Sequence, residues 1–137
     1  MKYFKAYELV DRKTYEKMGE DALSLFNPTA LIMLDDFREF IEAPVTVNNW
    51  YFGGRHEWRG WRTKAKCIEL GAPGSEHGKG NAFDLNVKDF TANEVRQIVR
   101  INQADPLLRL IMRMEDKVGW IHMDRKPVKN RIYFFKP

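Results

Sequence analysis

Between Pro28 and Ile41 the apolar residues Leu31, Leu34, Phe37, Phe40 and Ile41 advance by three and four positions, which puts them on one face of an α-helix. Asn27 is placed to cap that helix, Pro28 suits its first turn, and Pro44 closes it. The pattern changes period at Ala82–Val87. Phe83, Leu85 and Val87 alternate with Ala82, Asp84 and Asn86, which predicts a strand with an apolar face and a small or polar face. Asp11–Gly19 and Glu20–Phe26 read as short helical pieces. Lys2–Val10 reads as an ordered arm or short strand, and β-branched Val45–Val47 as a strand. Thr91 and Glu94 form a capping box ahead of a helix carrying Val95, Ile98 and Val99.

Gly53–Lys66 and Gly71–Gly80 are punctuated by glycine and read as long loops. Leu107–Met114 fits a strand or a short helix, and Gly119–Met123 and Arg131–Phe135 read as strands. No repeat or linker divides the chain. The pattern predicts one α+β domain over residues 1–137, a mostly antiparallel central sheet flanked by helices.

Composition adds boundaries. A chain of 137 residues can bury a core without covalent staples, and 44% hydrophobic with 31% charged residues describes a folded protein. Cys67 is the only cysteine, which excludes an internal disulfide and a cysteine-rich zinc site. A net charge of +4 favours polyanionic partners. The densest basic stretches, Arg55–Lys66 and Arg125–Arg131, are interrupted by aromatic residues or proline. No apolar run approaches the roughly 20 residues that span a bilayer, and the opening MKYFKAYELVDRK has no signal-peptide core. The expectation is cytoplasmic synthesis, no membrane partner, and a monomer.

The candidate chemistry lies around two of the three histidines. His77 sits in a glycine-rich loop, and Asp84 projects from the polar face of the next strand. His122 sits in a later strand. A loop histidine and a strand aspartate that return to one point supply two metal ligands. A histidine from a neighbouring strand adds a third and leaves a tetrahedral position open for water, the pattern of catalytic zinc. Taken singly, the same residues also suit a surface loop, a strand edge and a hydrogen-bonded core histidine.

Ser75-x-His77-x-x-Gly80-x-Ala82-x-Asp84, followed by Trp120-x-His122, resembles the paired signatures of the M15-like zinc peptidase group. That group includes D-Ala-D-Ala carboxypeptidases and dipeptidases, phage L-alanyl-D-glutamate endolysins and the amino-terminal signalling domain of hedgehog. The resemblance implies that His77, Asp84 and His122 bind one Zn2+ per chain, and that the substrate is the peptide stem of bacterial peptidoglycan. Gly60-Trp61-Arg62-Thr63 is similar to the segment in which an arginine of these peptidases holds a substrate carboxylate, which suits a planar guanidinium. Arg62 is then the substrate-binding candidate with Arg59 as its substitute, and Ser75 bonds substrate or shapes the loop. Trp58, Trp61, Tyr51 and Phe52 are candidate cleft walls, and Asp124 and His56 candidate supports of the ligands.

The chain departs from the group at Gly119, where many members carry an acidic general base three residues before the last histidine. Glu115 and Asp116, seven and six residues before His122, are the replacement candidates, Glu115 first for its longer reach. Two other readings stand beside hydrolysis. One is a non-catalytic zinc-containing module that binds cell wall or protein. The other is a nucleic-acid-binding surface of Arg55, Arg59, Arg62 and Lys64, which leaves the ten-residue signature unexplained. The absence of a signal peptide and of a separate wall-binding segment predicts a phage or virion-borne wall enzyme, released on lysis.

Overall fold

Helix α2 (Pro28–Ile41) begins where the sequence places its cap: the Asn27 side chain accepts a hydrogen bond from the Thr29 N–H, and Pro28 occupies the first turn. The computed structural model describes residues 1–137. Ahead of α2, the amino-terminal arm makes a single 3-10 turn at Ala6–Glu8 and buries Phe4, Leu9 and Val10 in the core. Helix α1 (Arg12–Met18) follows, capped by Asp11, and a 3-10 stretch (Gly19–Leu25) leads to α2. Two short helices complete the set, α3 (Lys64–Glu69) and α4 (Ala92–Ile101). Thr91 and Glu94 form the expected capping box on α4. Helix α3 lies inside the segment that the sequence reads as loop. It is only 6 residues long, and the Thr63 hydroxyl that starts it is a local signal hidden among glycines and arginines.

The strands are β1 (Val45–Thr46), β2 (Ala82–Val87), β3 (Arg113–Glu115), β4 (Ile121–Asp124) and β5 (Tyr133–Phe135). They form one five-stranded sheet in the order β1-β2-β4-β3-β5. Three neighbouring pairs are antiparallel, and only β3 and β5 run parallel. The ambiguous Leu107–Met114 segment divides: Pro106–Leu108 is a 3-10 turn, and the strand begins at Arg113. No helix is long and apolar enough to cross a membrane.

The register sorts the side chains. Phe83 is opposite Met123, Leu85 opposite Ile121, and Met114 opposite Met123. These five residues are almost wholly buried and pack with Phe37, Leu34 and Met33 of α2. Phe83 also stacks on Phe26 with ring centroids 5.5 Å apart. The same pairing puts Asp84 opposite His122, Ala82 opposite Asp124, and Arg113 opposite Asp124 on the other face. Directly opposed residues share a face. That second face is polar and forms the floor of a cleft.

Candidate metal centre

The loop that presents His77 is shaped by its neighbours. Ser75 caps a 3-10 turn (Glu76–Lys79), its hydroxyl accepting the His77 N–H at 3.2 Å. Glu76 is buried and ties the turn together by accepting from Lys79 at 2.8 Å and Asn81 at 3.3 Å. Gly80 ends the turn with φ +69°, and a Cβ there would stand 2.6 Å from the Leu25 carbonyl oxygen. Left-handed backbone with no room for a side chain admits only glycine. From this turn the His77 ring reaches Gly60, donating through Nδ1 to its carbonyl at 2.8 Å. Gly60 itself is pressed against Leu9, whose carbonyl oxygen would lie 2.0 Å from an added Cβ. With Nδ1 so engaged, Nε2 of His77 faces Asp84, 3.3 Å from Oδ2.

His122 is held from both sides. Its Nδ1 lies 2.8 Å from Asp84 Oδ1, and its Nε2 lies 2.8 Å from Asp124 Oδ2. Asp124 is completely buried and receives Arg113 as a two-pronged donor, Nε at 3.0 Å to one oxygen and Nη2 at 2.7 Å to the other. Phe135 covers this array, its ring 4.0 Å from the Arg113 guanidinium and edge-on to His122 at 5.6 Å. Burial alone pushes the His122 imidazole down. Hydrogen bonds that the ring donates to Asp124 and Asp84 outweigh it and raise the value to about 9. Burial pushes Asp84 up, and the bonds to His122 and His77 reverse that and hold it well below the usual carboxylate range.

The structure therefore brings His77, Asp84 and His122 together, with one donor atom from each lying within 4.8 Å of the others. Four-coordinate zinc with bonds of about 2.0–2.1 Å sets its ligands about 3.3 Å apart, and Asp84 lies 3.3 Å from His77 Nε2 and 2.8 Å from His122 Nδ1. The remaining imidazole nitrogens are bonded to the Gly60 carbonyl and the Asp124 carboxylate, the arrangement that fixes ring orientation in metal sites. The donor set fits zinc. Three ligands of this kind also leave one coordination position open.

The two acidic candidates part company. Glu115 lines the same cleft as the three donors. Continuing the β3–β4 register by one residue sets Glu115 opposite His122 and on its face. Asp116 points elsewhere, pairing with Arg100 at 2.9 Å and Arg96 at 3.5 Å. Arg96 also donates to the carbonyls of Val118 and Trp120, so Asp116 belongs to a clamp on the turn before β4. Gly119 in that turn has nothing within 4 Å of where a Cβ would stand.

Arg62 lines the cleft, with Nε donating to the Trp58 carbonyl at 2.8 Å and Nη2 to Asp84 Oδ2 at 3.2 Å. Ser75 lines it too, with its hydroxyl engaged by the His77 backbone. The expected aromatic walls are displaced. Trp58 lines a separate cavity between α1 and α3, Trp61 packs on the core, and Tyr51 and Phe52 join an exposed cluster with Tyr7 and Tyr15. Trp120 and Phe135 wall the metal cleft instead. Of the two support candidates, Asp124 holds a ligand directly. His56 lines a neighbouring cavity, and its backbone carbonyl accepts from Asn49 and Trp50. Cys67 is buried beneath the His77 turn, its Sγ 2.9 Å from an added Cβ at Gly78. Arg113 and Arg96 carry no sequence signal of their own, since both act on partners distant in the chain.

The model of one protein family, Peptidase M15, matches residues 2–124. No curated protein and no solved structure matches the chain.

Proposed function

Because the chain belongs to the peptidase M15 family, we propose that it is a zinc peptidase that cleaves the peptide stems of bacterial peptidoglycan, as a carboxypeptidase or an endolysin. The strongest support is a His–Asp–His donor set with an acidic residue, Glu115, on the same cleft. The zinc ion, held by His77 Nε2, Asp84 and His122 Nδ1, would supply Lewis-acid chemistry, acidifying water and polarising the scissile carbonyl. Glu115 accepts the proton of the attacking water and delivers it to the leaving amine nitrogen. Arg62 orients a carboxylate of the stem peptide while Trp120 and Phe135 confine the chain between them. Asp124, neutralised by Arg113, keeps the His122 Nδ1 lone pair aimed at the metal.

The test is incubation of zinc-loaded protein with bacterial peptidoglycan, with and without a chelator, followed by mass spectrometry of the released fragments. New amino termini that vanish with chelator are expected, and their identity names the bond. Zinc-bound protein that binds peptidoglycan and releases no fragment would instead establish a non-catalytic wall-binding module.

A further inference from the structure

A second cavity, of about 420 Å³, shares Asp84 and Trp120 with the metal cleft. Its other walls are Arg55, His56 and Arg59, with Asn86 and Gly119 completing the rim. Asp84 is the only acidic residue among these walls, and zinc draws on that same carboxylate. Three buried side-chain nitrogens lack a hydrogen-bond partner, Arg59 Nη1, Arg96 Nε and Arg125 Nε, and only the first belongs to a residue lining this cavity. A buried donor left unpaired is costly, which marks this arginine as held in place for more than its own packing.

The Arg59 backbone is fixed on both sides. Its N–H donates to Asn48 Oδ1 at 2.9 Å, and its carbonyl accepts the N–H of Asp84 at 2.7 Å. The guanidinium is thus rooted one hydrogen bond from a metal ligand. Two arginines and one histidine around a single cavity suit one compact anion better than a string of phosphates.

We infer that the Arg59 cavity is a second carboxylate subsite of the peptidase, one that determines which stem peptides are accepted. This rests on the function proposed above. Arg62, in the metal cleft, is already assigned one substrate carboxylate. In a lysine-type stem the other free carboxylate is the α-carboxylate left when D-glutamate is joined through its γ-carboxyl. The Arg59 guanidinium, which lines the cavity, donates to that group, and Arg55 adds charge at the mouth. Gly119 keeps the mouth open, and an acidic side chain in its place would fill the subsite with the wrong charge.

Calorimetric titration of zinc-loaded Glu115→Gln protein, which leaves the peptide intact, tests this. The two probes are L-Ala-γ-D-Glu-L-Lys-D-Ala-D-Ala with the D-glutamate α-carboxylate free, and the same peptide as its α-carboxamide. The carboxylate form should bind about 10- to 100-fold more tightly, the range of one charged hydrogen-bonded contact. Adding Arg59→Gln should bring that ratio close to one, chiefly by weakening the carboxylate form. Gly119→Asp, at a position with open space, should do the same without touching a buried group. A ratio that persists in both variants, or a loss shared equally by the two peptides, overturns the subsite and leaves the peptidase intact. Failure of either peptide to bind any form overturns the proposed function and this inference together.

Discussion

Strands β2, β3 and β4 carry an apolar face and a polar face, and the two are held by different physics. On one, Phe83, Leu85, Met114, Ile121 and Met123 exclude water by apolar packing against α2. On the other, Asp84, His122 and Asp124 are also buried, and each polar atom is satisfied by a named partner. The apolar face is nondirectional, so a lost methyl group leaves a cavity and little else. The polar face is directional, and loss of one member strands its neighbours. Stability is concentrated on the first face and chemistry on the second, within side chains that alternate along the same strands.

Predictions follow that contrast from the largest effect downward. His77→Ala removes a ligand held only by Gly60 and Asp84, and should abolish both zinc retention, read by metal analysis, and fragment release from peptidoglycan. Glu115→Gln should keep zinc and lower turnover by about 10²- to 10⁴-fold, the usual contribution of a general base. Phe83→Ala, on the opposite face, should have a comparable energetic effect with the opposite readout. It should cost about 3–5 kcal/mol in chemical denaturation and leave the zinc content of the folded fraction unchanged. Asp124→Asn keeps the shape of the partner to His122 but removes its charge, and should weaken zinc by about 10- to 100-fold in a competition titration. Asp116→Asn tests the neighbour of Glu115. Its ion pairs with Arg96 and Arg100 are partly exposed, so stability should fall by no more than about 1 kcal/mol and turnover should stay the same.

The features legible in the sequence are those with local causes. Asn27 and Pro28 start α2, and Thr91 with Glu94 starts α4, because caps act within four residues. Strand β2 was readable in full because a period of two survives in six residues. The group of His77, Asp84 and His122 was legible through a signature with its own physical basis: the Ser75 cap, the left-handed Gly80, and Ala82, which is wholly buried where the polar face meets Asp124. Helix α3 and strand β3 were not, being too short to show a period. The aromatic residues of the Gly53–Lys66 segment and its approach carried no sign of which cavity each would face, and the structure walls the metal cleft with Trp120 and Phe135 instead.

The sequence by itself determined the fold class, the starts of α2 and α4 and the candidate metal donors, because these depend on residue type and on spacing along the chain. Only the tertiary structure decided between Glu115 and Asp116 as residents of the cleft, joined Arg113 to Asp124, and left Arg59 Nη1 without a partner beside Asp84. Those outcomes turn on strand register and on which distant carbonyl or carboxylate a side chain meets. A shift of one residue in β3 would exchange the faces of Glu115 and Asp116, and nothing in their immediate neighbours along the chain specifies that register.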